Sequence, residues 1–106
     1  MEESVLNTKI SEAIRATKEL IQILHDNEIP KWEKAYTGIL NLLEAGDAKG
    51  AIHREKQNRH SGPGSMSDIY LDNQKEFDVL WGRQGKSIAN IRLYIEYEAD
   101  RKSVYS

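Results

Sequence analysis

The sequence lacks cysteine altogether, which removes several kinds of chemistry. Without cysteine there is no disulfide framework, no thiolate nucleophile and no zinc–thiolate site. Metal binding would depend on carboxylates and three histidines, His25, His53 and His60. On one continuous helix, His53 and His60 would lie about 10 Å apart, too far to share one metal ion. The sequence therefore predicts no metal site and no cofactor.

Motifs of catalytic sites are also missing. The chain has neither HExxH, which places two zinc ligands on one helix face, nor GxSxG, which presents a nucleophilic serine. The phosphate-binding patterns GxxxxGK[ST] and GxGxxG are absent too. Carboxylate pairs such as Glu96 and Asp100 have the spacing of a solvated helix face. We therefore predict no catalytic residue and favour a non-enzymatic protein.

The chain also lacks an excess of charge and long apolar runs. The 15 Lys and Arg residues oppose 17 Asp and Glu residues, which gives a net charge of −2. This balance argues against nucleic acid as a partner. A membrane span needs about 20 apolar residues, and a secretory signal needs a shorter apolar run behind a basic start. Since neither is present, we expect a cytoplasmic protein that does not bind membranes.

With only two prolines and no alternating strand pattern, the expected structure is helical. Apolar residues at spacings of three and four predict four helices, over about 4–25, 30–45, 47–57 and 73–99. The third is the shortest and has few apolar residues. We expect an all-α fold in one domain, residues 1–106: a small helical bundle of three long helices and one short helix. A Gly/Ser-rich loop precedes the last helix, and the tail from about residue 100 is expected to fray.

Individual residues mark the predicted helix ends and core. Gly46 suits a left-handed C-cap, Asp47 an N-cap, and Asn73 and Glu76 have capping-box spacing. The apolar stripes predict seven buried residues: Ile14, Ile21, Ile39, Leu43, Leu80, Ile88 and Ile91.

The loop Gly62–Asp68 has the ingredients of a ligand site. Its two glycines flank a proline among hydroxyl side chains, an arrangement that suits a nest of N–H groups around an anion. The hypothetical phosphate or anion site consists of Arg54, Arg59, His60, Gly62, Gly64, Ser65, Ser67 and Asp68. The alternative is a tight turn in which the polar side chains, Asp68 included, cap local N–H groups.

Two tyrosines are the candidates for a protein interface. Tyr94 lies beside the core stripe of the last helix, and Tyr97 lies off that stripe. Partly exposed tyrosines among charged residues are common at protein interfaces. A chain of this length also builds only a thin core. We therefore expect a protein partner that the sequence does not identify, or a homodimer.

The segment Gly62–Leu71 resembles the Gly-x-Gly-Ser-hydrophobic-Asn-Asp-hydrophobic signature of a family of small bacterial proteins. That family is classed only as a domain of unknown function. Trp32 and the helix break at Gly46 and Asp47 match features that precede the signature in its members. The likeness covers about residues 30–95.

This chain departs from the signature at Pro63 and Ser67. The resemblance implies a small bacterial helical protein with no established activity, a type that includes immunity proteins, which neutralise a toxin by covering its active surface. Our leading hypothesis is therefore a non-enzymatic protein-interaction module of an immunity-like kind. The alternative is a small-ligand or anion-binding protein that uses the Gly62–Asp68 loop.

Overall fold

The structure, a computed structural model, describes residues 2–58 and 69–105, and the side chains of 5–58 and 69–102. Within these ranges the chain forms four helices: α1 (Glu2–Asp26), α2 (Pro30–Glu44), α3 (Ala48–Asn58) and α4 (Gln74–Tyr105). The all-α prediction of three long helices and one short helix is confirmed. The last helix continues to Tyr105, past the end that the sequence predicts. The expected fraying of the tail stays a prediction.

The helices form an antiparallel bundle in which α1 contacts α2 and α4, while α3 contacts α2 and α4. The short connections 27–29 and 45–47 make α1 and α2, and then α2 and α3, antiparallel neighbours. The α1–α4 pair is antiparallel too, since Glu19 contacts Arg83 while Thr17 contacts Gln84. The last helix, which follows a longer connection, therefore packs back on the first.

The core lies where all four helices meet. Its buried apolar residues are Ala13, Ala16, Leu20, Ile23, Leu24, Tyr36, Ile39, Leu43, Ala48, Ala51, Phe77, Ile88 and Ile91. Of the seven predicted core residues, Ile39, Leu43, Ile88 and Ile91 are buried. The predicted burial of Ile14, Ile21 and Leu80 is wrong, because these residues are half-buried at the margin of the core. The stripe of α1 is centred on Ala13, Thr17, Leu20 and Leu24, so Ile14 and Ile21 lie on its flank.

Two hydrogen bonds between polar side chains join helices inside the bundle. Gln84, which is fully buried, donates from Nε2 to Thr17 Oγ1 at 3.4 Å. Trp81 donates from its indole N–H to the Tyr36 hydroxyl at 3.1 Å, which ties α4 to α2. Because a buried polar group costs free energy unless it is hydrogen-bonded, these contacts fix which faces of the helices can meet.

The helix ends agree with the sequence at two of the three marked positions. Gly46 has φ +80°, the left-handed conformation of a C-cap. Asp47 Oδ1 accepts the Gly50 N–H at 2.9 Å and so caps α3. The capping box is wrong in detail: Asn73 Oδ1 is buried without a hydrogen-bond partner, and Asn73 Nδ2 lies 3.5 Å from Glu76 Oε2. Before α4, it is Gln74 Oε1 that accepts the Leu71 N–H.

Two helices of the bundle are much longer than the other two. At about 1.5 Å per residue, α1 and α4 extend about 37 and 48 Å, against about 22 Å for α2 and about 16 Å for α3. Asp26, at the end of α1, lies beside Asn73, just before α4. Since α2 begins there, the surplus length of α1 and α4 projects at the other end. We call residues 2–12 of α1 and 92–105 of α4 the open end.

Candidate functional site

Of the eight residues of the predicted anion site, the structure describes only Arg54. Arg54 lies on α3, and its guanidinium passes 3.3 Å from the position that a Cβ on Gly38 of α2 would take. The side chain therefore covers the small residue of the neighbouring helix. The remaining residues, Arg59, His60, Gly62, Gly64, Ser65, Ser67 and Asp68, lie outside the described residues. Their part in a ligand site stays a prediction.

A groove of about 770 Å³ runs between α3 and α4, and none of the sequence predictions included it. Its described lining is Lys49, Ile52, His53, Glu55, Lys56, Gly85, Ile88, Ala89, Arg92 and Glu96. On α3, the lining residues recur along one face, with Arg54 directed instead towards α2. On α4, the small residues Gly85 and Ala89 are one turn apart and leave room between the helices. Volumes of this size are typical of small-ligand sites.

Basic side chains outnumber acidic ones around this α3–α4 groove. Lys49, His53 and Lys56 of α3 and Arg92 of α4 are all exposed. The acids are Glu96, whose Oε1 lies 4.0 Å from Arg92 Nε, and Glu55, which is only 5% exposed. The groove therefore combines an apolar base with a basic rim, a surface that suits a ligand with both an apolar part and negative charge.

The predicted interface residues lie on the last third of α4. Tyr97 is 63% exposed, and Leu93, one turn earlier on the same face, is 54% exposed. Tyr94 is half-buried beside them. Desolvation by burial, and then the Glu98 carboxylate, raise the pKa of Tyr94 above its usual value. We call Leu93, Tyr94 and Tyr97 the outer strip.

The sequence predicted two residues of the outer strip, Tyr94 and Tyr97, but not the third, Leu93. Leu93 was missed because a single leucine between charged residues has no special spacing. It stands two positions after the buried Ile91, or roughly 160° round the helix, which puts it on the outer side of α4. The helical phase of α4 therefore contained the signal, once Ile91 was taken as a core residue.

The two histidines that the structure describes belong to no cluster of metal-ligating side chains. His25 Nδ1 lies 3.2 Å from the Glu33 carboxylate and joins α1 to α2 as a surface pair. His53 lines the α3–α4 groove. Among residues 5–58 and 69–102, no three His, Asp or Glu side chains are grouped as metal ligands would be.

Comparisons of the chain with protein-family models, with curated proteins and with solved structures give no significant match. The likeness of the Gly62–Leu71 segment to the bacterial family therefore stays a prediction. None of the described helices combines the length and the apolar character that crossing a membrane requires. The described residues offer two candidate functional surfaces, the outer strip and the α3–α4 groove.

Proposed function

We propose that the protein is a non-enzymatic protein-interaction module that binds its partner through the outer strip of α4. The observation that carries this proposal is the exposure of Leu93 and Tyr97 side by side on one helix face. An aromatic ring next to an aliphatic side chain is the kind of anchor that dominates the free energy of protein association. Tyr94, which is half-buried beside them, widens the same patch.

An immunity-like role is the finer form of this proposal. A small rigid helical bundle changes shape little on binding, which suits a protein that must cover another protein's active surface. Such a role predicts one tight partner whose harmful activity disappears in the complex. A general adaptor would instead bind several partners without changing their activity.

The outer strip can be tested by site-specific photo-crosslinking. A photoreactive phenylalanine analogue replaces Tyr97 in the full chain, which is then irradiated in an extract of the source cells. The matched control carries the analogue at Val79, which is 56% exposed and lies at the same phase of α4, about five turns earlier. We expect a discrete covalent adduct from position 97 that disappears when Leu93→Glu is added. Equal labelling from both positions, or none from position 97, would contradict the proposal.

The second candidate function is anion binding, and the basic rim of the α3–α4 groove favours it. Lys49 and Lys56 bring positive charge to an apolar cleft beside α3, the helix that precedes the predicted anion segment in the sequence. Bound anion would stabilise the folded state by RT ln(1 + [L]/Kd), so the Tm would rise with ligand concentration. The proposal covers small phosphate or carboxylate compounds with an apolar portion.

A thermal-shift titration with phenyl phosphate distinguishes the groove from the loop. Lys56→Gln removes charge from the rim of the groove, while Arg59→Ala removes it from the predicted loop site. Lys75→Gln is the matched control, since Lys75 is an exposed lysine on α4 that does not line the groove. Loss of the Tm rise in Lys56→Gln alone would locate the anion in the groove. A Tm unaffected by the compound in the unsubstituted protein would exclude both sites for this class of ligand.

A further inference from the structure

The buried stripes of α1 and α4 end before the helices do. On α1, Ala13, Thr17, Leu20 and Leu24 are completely buried. The next two residues on this stripe towards the N-terminus, Ile10 and Leu6, are only half-buried. On α4, Ile88 and Ile91 are buried, whereas Ile95, one turn later, is half-buried. The same core-facing stripe is thus incompletely covered on both helices, and at the same end of the molecule.

The cause is the length of the two shorter helices. α2 starts where α1 ends and covers about 22 Å of the roughly 37 Å length of α1, so about ten residues of α1 extend past it. α3 starts just after α2 and runs back, antiparallel to α4, towards the end of the bundle where α4 begins. Apart from Arg92 and Glu96, which line the α3–α4 groove, the open end is therefore a pair of helices whose inner side faces no further described helix.

The dimensions of the molecule differ from those of a compact domain of the same length. The radius of gyration is 14.9 Å. A compact domain of this length is expected to have a radius of gyration of about 13 Å. The accessible surface is 7084 Å², and a compact monomer of 12.1 kDa is expected to expose about 6,000 Å². The molecule is therefore more extended than a compact domain, as expected when α1 and α4 project past α2 and α3.

The charges beside the open stripe point to a second copy as the occupant. Arg92 and Glu96 flank Ile95, and their side chains are 4.0 Å apart. In a two-fold pair the same patch lies on both sides of the interface, so an unbalanced charge would face itself and repel. A cation and an anion that already balance each other avoid this cost, while a strongly charged foreign partner would find little net charge to pair with.

We infer that two copies of this chain associate through their open ends. In this dimer the α1–α4 pairs lie side by side, and each fills the space beyond the partner's α2 and α3. The four helix ends then form a four-helix arrangement that buries Leu6, Ile10 and Ile95 of both copies. The outer strip lies on the other side of α4 and stays accessible, so the dimer does not depend on the proposed partner surface.

Size-exclusion chromatography with light scattering tests this inference on the full chain. One copy has a mass of 12.1 kDa. We expect a mass near that of two copies at high protein concentration and a fall towards that of one copy on dilution. Two substitutions target the open end. Ile10→Glu places a charge on the stripe, and Ala99→Glu places one a turn beyond Ile95, at a residue that is exposed in the single chain. Both variants are expected to show the mass of a single copy at every concentration.

Val79→Glu is the control, because Val79 is exposed on α4 far from the open end. Its mass is expected to follow that of the unsubstituted protein. Ala99→Glu keeps the test independent of folding, since the folded single chain already leaves residue 99 in water; circular dichroism confirms its helix content. A mass of one copy for the unsubstituted protein at all concentrations would overturn the inference. A dimer that survives both open-end substitutions would overturn the choice of surface.

Discussion

The two halves of the α1–α4 pair have the same kind of sequence but very different burial. In the covered half, residues 13–26 of α1 and 74–91 of α4, the stripe is closed by α2 and α3, and Leu20 and Ile91 lose all contact with water. In the open end, Leu6 and Ile95 continue the stripe at the same phase, yet both remain half-buried. The difference shows that helical periodicity fixes which side of a helix faces the core, whereas burial depends on the helices that pack there.

The covered half stabilises the fold, whereas the open end offers surface for recognition. In the covered half, the polar side chains Thr17, Gln84 and Tyr36 are paired across helices, so that half can serve as the rigid body of the fold. The open end has fewer neighbours and keeps apolar groups in contact with water, and both proposed protein surfaces lie there. Apolar surface that is left exposed on a small bundle is a common mark of an interaction site.

The largest expected effect comes from truncating one leucine in each half. Leu20→Ala removes a fully buried side chain and leaves a cavity, so we expect a loss of about 2–5 kcal/mol in the free energy of unfolding. Leu6→Ala removes a half-buried side chain, for which about 1 kcal/mol is expected, near half of the transfer free energy for full burial. Urea unfolding in dilute protein measures both. Equal losses would mean that the open end is as well packed as the covered half.

The next effect concerns the buried polar pair of the covered half. Thr17→Val keeps the shape of the side chain but removes the hydroxyl that accepts from Gln84 Nε2. Leaving a buried donor without this acceptor is expected to cost about 1–3 kcal/mol. The double variant with Gln84→Leu replaces both partners by apolar groups and is expected to recover most of that loss. A double-mutant cycle from chemical unfolding gives the coupling free energy between the two side chains. If the double variant recovers none of the lost free energy of unfolding, the two residues act separately.

The fold class was predictable because it depends on local patterns. The spacing of apolar residues placed four helices, and Gly46 and Asp47 marked two of their ends. The core was predicted less well, because a stripe wide enough to include Ile14 and Ile21 does not reveal its own centre. That centre is set by the direction from which α2 and α4 approach, which is a property of the assembled bundle.

The two candidate surfaces were predictable only in part, because the groove also depends on how the helices assemble. Tyr94 and Tyr97 were found from their position relative to a single stripe, and their exposure follows from that stripe alone. The α3–α4 groove joins Lys56 on one helix to Arg92 on another, far along the chain. No local spacing signals such a pairing. Relative helix lengths, which produce the open end, were also hidden because the last helix continues past its predicted end.

The smallest effect is a pH dependence confined to the open end. The pKa of Tyr94 is raised above its ordinary value of 10.0, first by desolvation and then by Glu98. A raised pKa in the folded state means that the stability linked to this group is fully present below pH 10.0 and is lost as the pH rises through the folded pKa. Stability should therefore decline in alkaline solution, and Tyr94→Phe should remove part of that decline. Chemical unfolding on either side of pH 10.0 compares the two proteins. An equal decline in both would contradict the link to Tyr94.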